Sequence, residues 1–335
     1  MKKLLTTFLL LCSFSNTALA SLPYLDNISQ PYRQAAETFI FNFTSDAELA
    51  AASDMQYSTA AGRETVVVPA SKNTPAINLY IYRPQQKSSL QTPVIYYTHG
   101  GGYLFRKALD YTNRYQQLAE NTGATVITPE YRLSTEAPFP AALEDAYAGL
   151  RYVNENSSTL NVDDSRIILM GDSAGGGLAA SLALYNKTHD NIHLSGQVLI
   201  YPMLDYRTGT KLSPYNSPQT GHIAWNRPTN AFAWKKLRGD QKISKNMLQY
   251  FSPAVADNLG DLPPTLIYVG GLDLFVNEDI AYANKLIEAG NDTTLYVVPG
   301  LYHAFDIAVP QAQATQEFWQ RVYEASRQML FTTID

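Results

Sequence analysis

The stretch "RIILMGDSAGGG", residues 166–177, joins an apolar run to a serine set among glycines. A turn after a strand needs one or two glycines, and turning does not require Ser173. The apolar run "LAASLALY" that follows has the character of a buried helix. A strand, a G-x-S-x-G turn and a helix in this order lift a serine hydroxyl above a sheet edge, where the helix N-terminus favours negative charge. This stretch alone is equally compatible with Ser173 acting only as a helix cap.

A second glycine-rich stretch decides between these readings. "PVIYYTHGGGYLF", residues 93–105, places His99 and three glycines directly after another predicted strand. Charge that develops on a carbonyl oxygen during acyl transfer is stabilised by converging backbone N–H groups. Gly101 and Gly102, together with Ala174 after the serine, are therefore predicted to form an oxyanion hole. We expect His99 to brace this loop by hydrogen bonding rather than to act as a base.

A nucleophilic serine also needs a base, and the base needs an acid that orients it. After a turn of this kind, the acid (Asp or Glu) comes next along the chain and the histidine base comes last. The predicted strand at 265–270 runs into Asp273, and the predicted strand at 293–298 runs into His303. Both residues then lie at the carboxyl edge of a parallel sheet, on the side expected for Ser173. The sequence predicts Asp273 and His303 as the partners of the serine.

Other titratable residues are weaker candidates. Glu278 and Asp279 are the rival acids, but the pattern places them inside the next helix. His189 and His193 fall in a connection at the opposite edge, and His222 lies in a long irregular segment. The spacing of His, Asp and Glu residues does not indicate a metal site, and we expect no cofactor.

From residue 64 onward, short β-rich runs alternate with helical patterns. The strands are predicted at 64–68, 77–82, 93–98, 124–129, 166–170, 196–201, 265–270 and 293–298. The helices are predicted at 111–121, 140–154, 174–187, 277–289 and 312–329. Continuous Val, Ile and Leu runs separated by helices indicate a mostly parallel eight-stranded sheet covered on both faces. The first two strands have no helix between them, which indicates an antiparallel hairpin at one edge.

Two segments interrupt this alternation. Residues 21–60 look largely helical, and residues 203–250 are rich in Pro, Asn, Gly and aromatic residues. A connection of this length inside a compact α/β fold is usually functional.

The first twenty residues, "MKKLLTTFLLLCSFSNTALA", have the layout of a secretory signal peptide. A basic start precedes an apolar run that is too short to span a membrane, and an A-x-A pattern ends at Ala20. We therefore expect cleavage after Ala20 and export to the periplasm or the medium; the alternative is an uncleaved anchor or a buried helix. The only cysteine, Cys12, would leave with this segment, which excludes disulfides, cysteine nucleophiles and thiolate metal sites from the remainder.

Loss of this segment would remove two lysines and change the formal net charge from −5 to −7. A mildly acidic chain gives no reason to expect nucleic acid or an anionic membrane as a partner. The full length of 335 residues fits one large α/β domain or two smaller ones.

Together, these motifs resemble the hormone-sensitive lipase family of carboxylesterases in the α/β-hydrolase superfamily. The resemblance covers roughly residues 64–327. It is carried by "HGGG" (99–102), "GDSAGG" (171–176), "PEYRLSTEAPFPAALEDAYAGLRYV" (129–153), "YPMLD" (201–205) and "LPPTLIYVGGLDLF" (262–275).

This resemblance implies the α/β-hydrolase fold, with a core formed by residues 61–202 and 251–335. Residues 21–60 and 203–250 would form a helical cap over the pocket. The roles that it implies are Ser173 as nucleophile, His303 as general base, Asp273 as its partner, and Gly101, Gly102 and Ala174 as oxyanion donors.

The sequence departs from the family pattern at three places. Asp273-Leu274 stands where the family often has Asp-Pro, His303-Ala304 stands where it often has His-Gly, and Gly177 stands where asparagine is common. None of these differences removes a reacting group, so they bear on loop shape and substrate choice rather than on catalysis.

The sequence therefore predicts an exported serine carboxylesterase that hydrolyses short- to medium-chain esters of small molecules, without stable membrane insertion. Bulky residues of the two irregular segments, among them Tyr24, Phe39, Trp225, Phe232 and Trp234, are expected to narrow the space above Ser173. The alternatives are a deacetylase or amidase acting on polysaccharides or small molecules, or a non-catalytic ligand-binding protein. The presence of His303 argues against the last. The sequence leaves the oligomeric state open.

Overall fold

The computed structural model describes residues 25–53, 63–85 and 90–331. The predicted signal peptide at 1–20 lies outside these residues, as does Tyr24. Within the described residues, no helix combines the length and the apolar character needed to cross a membrane.

The strands alternate with helices along most of the chain. The strands are β1 (Ile40–Phe41), β2 (Glu64–Val68), β3 (Ile77–Tyr82), β4 (Thr92–Thr98), β5 (Thr125–Pro129), β6 (Val162–Asp172), β7 (Gly196–Ile200), β8 (Ala224–Trp225), β9 (Thr265–Gly270) and β10 (Thr293–Val298). The helices are α1 (Arg33–Ala36), α2 (Asp46–Ser53), α3 (Thr112–Thr122), α4 (Ala141–Glu155), α5 (Ser157–Leu160), α6 (Ala174–Lys187), α7 (Arg227–Arg238), α8 (Leu248–Phe251), α9 (Val276–Glu288), α10 (Phe305–Ala308) and α11 (Gln313–Phe331).

The main sheet has eight strands in the order β10-β9-β7-β6-β4-β5-β3-β2. All neighbours from β10 to β5 are parallel, whereas β3 pairs antiparallel with both β5 and β2. The predicted parallel sheet with an antiparallel hairpin at one edge is therefore confirmed. The α/β-hydrolase fold has this mostly parallel sheet with helices on both faces.

Alternating side chains of each central strand enter two separate cores. On β6, Ile167 and Leu169 face one core together with residues of α4, α6 and α9. Ile168 and Met170 face the other, together with residues of α3 and α11. Because both faces are covered, the central strands are apolar throughout, which is why they appear in the sequence as continuous rather than alternating hydrophobic runs.

Strand β6 is longer than predicted. The prediction covered 166–170, but the strand begins at Val162 and ends at Asp172. Its early residues are mostly polar and partly exposed, and the pairing with β4 shifts between Thr92 and Val94. The polar start of the strand concealed this extension from a search for apolar runs.

The two irregular segments meet in a small second sheet. β1 pairs in parallel with β8, with Ile40 opposite Ala224 and Phe41 opposite Trp225. Asn226 caps helix α7 by accepting the N–H of Thr229 at 3.0 Å, and its amide donates to the carbonyl of Phe41 at 3.1 Å. The sequence pattern indicated helices in 21–60 but not this strand pair, because two-residue strands carry no periodicity.

Candidate active site

Ser173 lies at the sharp turn between β6 and α6. Its backbone angles are φ 55° and ψ −122°, a conformation that is costly for a residue with a side chain. Two backbone hydrogen bonds hold this turn. The N–H of Ser173 donates to the carbonyl of Ile200 in β7 at 2.9 Å, and the carbonyl of Ser173 accepts the N–H of Met203 at 2.9 Å. These bonds keep the hydroxyl raised above the carboxyl edge of the sheet.

Gly175 allows the first turn of α6 to approach the end of β4 closely. A Cβ atom at this position would collide with the backbone carbonyl oxygens of Thr98 and His99. The glycine is therefore required by a backbone contact rather than by its own dihedral angles. The contact brings the helix N-terminus beside the loop that follows β4.

Three predicted residues form a continuous hydrogen-bonded chain. Ser173 Oγ lies 2.9 Å from His303 Nε2, and His303 Nδ1 lies 2.8 Å from Asp273 Oδ2. The relative exposures of Ser173, His303 and Asp273 are 6%, 3% and 0%. A buried carboxylate on Nδ1 directs Nε2 toward the serine, which is the arrangement of a nucleophile, a base and an orienting acid.

The two partners of Ser173 are fixed by their surroundings. The second oxygen of Asp273 accepts the N–H of Phe275 at 2.9 Å. The His303 imidazole meets the rings of Phe275 and Tyr201 edge to face, with centroids 5.1 and 4.8 Å apart. These contacts restrict rotation of the imidazole, so its two nitrogens remain directed at the acid and the serine.

The loop after β4 carries the predicted oxyanion donors. Within the described part of the chain, no hydrogen bond occupies the N–H groups of Gly101 and Gly102, and both residues line the same cavity as Ser173. Ala174 is the first residue of α6, so its N–H has no partner within the helix. Gly102 has φ +63°, and a Cβ there would collide with the indole of Trp225, so both backbone shape and space favour glycine.

His99 braces this loop. It is fully buried, and its ring stacks on Tyr131 with centroids 4.4 Å apart. Its Nδ1 lies 2.8 Å from the carbonyl of Gly100, and the Tyr131 hydroxyl donates to the His99 carbonyl at 2.7 Å. Burial lowers the pKa of His99 to about 4, so the imidazole is neutral at ordinary pH and is a poor base.

The rival acids lie elsewhere. Glu278 and Asp279 are in α9, as predicted, and both are fully buried. Glu278 accepts the N–H groups of Leu204 and Asp205 at 2.6 and 3.2 Å. Burial raises the pKa of both carboxyls well above the ordinary range, and in Asp279 the nearby Glu278 and Asp273 add to the effect. Neither hydrogen-bonds to His303, whose acid partner is Asp273.

The cavity above Ser173 is small. Its volume is about 20 Å³, which is room for about one water molecule. Phe41 and Trp225, one from each strand of the small sheet, line it together with Tyr201, Ser173 and His303. A larger cavity of about 290 Å³ lies at the opposite edge of the main sheet, against α11. Its lining does not include the triad of Ser173, Asp273 and His303.

Of the aromatic residues expected above Ser173, Trp225 lines the cavity. Trp234 instead packs inside the cap against Phe251, with ring centroids 5.2 Å apart, and Phe39 packs against Phe41 at 5.2 Å. Phe232 is partly buried beside the larger core. The indole of Trp225 is locked in place because its Nε1 donates to Asn230 at 3.0 Å.

Sequence reasoning missed several residues of this site. Phe41, Tyr111, Asp172 and Tyr201 line the cavity or contact its loops. Two of them lay inside motifs that were already recognised, since Asp172 precedes the serine and Tyr201 opens "YPMLD". Phe41 had no such signal, because its position depends on pairing with a distant segment.

Within the described ranges, no group of three or more His, Cys, Asp or Glu side chains is arranged to hold a metal ion. The chemistry available at the site is that of the serine, the histidine, the carboxylate and the backbone N–H donors.

Comparison with known proteins agrees with this geometry. The profile of a family described as an alpha/beta hydrolase fold matches residues 95–307, which is more than half of the chain. The chain belongs to the hormone-sensitive lipase family of α/β-hydrolases. Several of its relatives are named as esterases, and the protein is a carboxylic ester hydrolase.

Two curated relatives illustrate the similarity. Esterase LipI of Mycobacterium tuberculosis is 31% identical over 66% of this esterase and 68% of its own length. An ethyl acetate hydrolase of Pseudomonas putida is 29% identical over 67% of this esterase and 70% of its own length.

Among solved structures, a bacterial heroin esterase is similar to this esterase with a TM-score of 0.81 and 26% identity, covering 92% of this chain and 99% of the other. Esterase LipW of Mycobacterium marinum gives a TM-score of 0.80 and 26% identity, covering 92% and 98%. In both cases the similarity covers nearly the whole length of the two chains.

Proposed function

We propose that this esterase hydrolyses short- to medium-chain carboxylic esters through an acyl-enzyme formed on Ser173. The observation that carries the proposal is the hydrogen-bonded chain from Ser173 through His303 to Asp273, at 2.9 and 2.8 Å. It is supported by the two loop glycines and Ala174, whose N–H groups are free to receive an oxyanion.

The reaction follows from these positions. As Ser173 Oγ attacks the ester carbonyl, His303 Nε2 takes the hydroxyl proton and Asp273 stabilises the resulting imidazolium. The carbonyl oxygen gains negative charge, which the N–H groups of the oxyanion hole stabilise. Collapse of this intermediate breaks the ester C–O bond, and the imidazolium gives its proton to the leaving alcohol. Water activated by His303 then hydrolyses the acyl-serine and restores the free enzyme.

The preference for small acyl groups rests on the cavity. The space beside Ser173 is narrow, with a volume of about 20 Å³, so it favours small acyl groups over long ones. Phe41 and Trp225 occupy the volume that a longer chain would need, and Asn230 holds the indole of Trp225 in place. The similarity to an ethyl acetate hydrolase supports the same preference.

The test is the specificity constant for p-nitrophenyl esters from acetate to palmitate, measured with the purified enzyme. We expect kcat/KM to be highest between acetate and hexanoate and to fall steeply beyond octanoate. A rise toward palmitate with activation at an oil–water interface would contradict the proposal. Acetylated sugars and acetanilide in the same series distinguish the deacetylase and amidase alternatives.

We also propose that the chain is exported. The motivation is the layout of residues 1–20 and the absence of cysteine from the rest of the chain. Expression of the full chain in a bacterial host, followed by cell fractionation and N-terminal sequencing, tests this. The expected result is activity outside the cytoplasm and a mature chain that begins at Ser21; an intact chain that begins at Met1 would overturn it.

A further inference from the structure

Beneath the active site, one arginine is held rigidly in a buried position. Arg114 lies in α3, and its side chain is 15% exposed. Its guanidinium lies between the rings of Tyr111 and Trp319, with Cζ 4.9 Å from each ring centroid. Cation–π contacts of this kind on two sides restrict the rotamers of the side chain.

Two buried carboxylates share this guanidinium. Nη2 of Arg114 lies 2.7 Å from Asp306, and Nη1 lies 3.7 Å from Asp172. The side chains of the two aspartates are 0% and 2% exposed. Two carboxylates so deeply buried need a counter-ion, because a charge in the protein interior is poorly solvated and poorly screened.

Asp172 connects the arginine to the oxyanion loop. Its Oδ1 accepts the N–H of Gly100 at 3.1 Å and the hydroxyl of Tyr97 at 2.8 Å. Gly100 immediately precedes the two glycines whose N–H groups line the cavity, and Asp172 immediately precedes Ser173. A displacement of the Asp172 carboxylate would therefore reach both the nucleophile and its oxyanion donors.

Asp306 connects the arginine to the histidine loop. Its Oδ1 accepts the hydroxyl of Tyr201 at 2.7 Å, and the ring of Tyr201 packs edge to face on His303 at 4.8 Å. Asp306 also lies in α10, which begins just after His303. A displacement of the Asp306 carboxylate would therefore change the support of the imidazole.

We propose that Arg114 is a positioning residue that aligns the nucleophile turn, the oxyanion loop and the histidine loop by binding Asp172 and Asp306 at the same time. Arg114 does not line the cavity, so it acts on the reaction indirectly, through the side chains that it holds. The planar guanidinium can reach both, whereas a single ammonium group binds as a point charge. The proposal rests on the proposed roles of Ser173 and His303, which the Ser173→Ala variant tests separately.

The experiment compares Arg114→Met and Arg114→Lys with the wild type in hydrolysis of p-nitrophenyl acetate. Active sites are titrated with a fluorophosphonate, so that kcat is expressed per competent site, and folding is followed by thermal unfolding. We expect Arg114→Met to lower kcat by about 10- to 100-fold with KM changed less than about threefold, because misalignment affects the transition state more than binding.

Arg132→Met is the matched control. Arg132 makes three hydrogen bonds with the fully buried Asp145, and it does not line the cavity. This variant also leaves a buried carboxylate without its arginine, so it should lower the melting temperature while keeping kcat per titrated site.

Arg114→Lys is the second variant, for the case in which Arg114→Met does not fold. It keeps the positive charge, so we expect it to fold. Because the ammonium cannot bridge both carboxylates, we expect kcat to fall by about three- to tenfold. Wild-type kcat per site in Arg114→Lys, or in a folded Arg114→Met with only a lower melting temperature, would overturn the proposal.

Discussion

Ser173 is the proposed nucleophile. Its strained backbone is fixed by bonds from neighbouring strands, so removing the hydroxyl should leave the turn in place. We expect Ser173→Ala to lower kcat by about a thousandfold or more, because only the oxyanion hole and substrate binding remain. The measurement is p-nitrophenyl acetate hydrolysis by purified variant with an unchanged circular dichroism spectrum. Retention of a tenth of the wild-type rate would exclude Ser173 as the nucleophile.

Asp273 and Glu278 provide a matched pair of carboxyls. Asp273→Asn should lower kcat by about 10⁴-fold, because the amide stabilises the wrong tautomer of His303. Glu278→Gln should keep most of the activity, because burial raises the pKa of Glu278 and so favours its neutral form, and the amide oxygen can still accept the N–H of Leu204. Both variants are assayed per titrated site. Equal losses would contradict the assignment of Asp273.

The reacting residues could be predicted from the sequence because each follows a recognisable strand. Ser173, Asp273 and His303 come at the ends of β6, β9 and β10, where a parallel sheet collects its loops. The supporting residues could not be predicted in this way. The guanidinium of Arg114 is held between Tyr111, which directly precedes α3, and Trp319 of α11, and that arrangement arises only when the chain has folded.

At the level of elements, the proposed limit on acyl length depends on the small sheet of β1 and β8. Trp225→Ala should enlarge the cavity and raise kcat/KM for hexanoate relative to acetate by about tenfold, since each methylene group in an apolar pocket contributes roughly 1–3 kcal/mol. The measurement is the ratio of the two specificity constants.

Trp234→Ala is the control for that substitution. Trp234 is a buried tryptophan of the same cap, 4% exposed, and it packs against Phe251 without lining the cavity. Its truncation should cost stability, about 3–5 kcal/mol, and leave the acyl-length ratio unchanged. An equal change of the ratio in both variants would show that the whole cap, rather than Trp225, sets the limit.

Elements with strong periodicity were predictable, and short ones were not. The strands of the main sheet and the helices α3, α4, α6, α9 and α11 were predicted to within a few residues because each buries a continuous apolar run or face. Helix α7, which has 12 residues and lies in the irregular segment 203–250, was not predicted. β1 and β8 have two residues each and exist because they pair with each other across a long separation. Their formation depends on tertiary contacts, which local patterns do not contain.

For the whole molecule, one buried carboxyl makes stability depend on pH. Burial raises the pKa of Glu130 to about 7, so the folded state holds a proton that the unfolded chain releases nearer pH 4.5. The stabilisation that protonated Glu130 gives to the folded state is fully present below about pH 4.5, and it is lost as the pH rises from 4.5 through about 7. Relative to Glu130→Gln, the wild type should lose about 1.4 kcal/mol per pH unit at most within this window.

The measurement is urea unfolding of both proteins at pH 5 and pH 7.5. Glu37→Gln, which removes an exposed carboxylate, is the control. A difference in unfolding free energy between the wild type and Glu130→Gln that stays constant across the two pH values would contradict the prediction.

The pairing of β1 with β8 joins two segments that the ribosome synthesises at different times. Phe41 leaves the ribosome early, whereas Trp225, its partner across the small sheet, and Gly300, which accepts the N–H of Ser29, are synthesised much later. His303 emerges later still. A nascent chain that ends before Trp225 lacks the pair of β1 and β8, and one that ends before His303 lacks the proposed base. We therefore expect hydrolytic activity only after the segment that carries His303 has been synthesised.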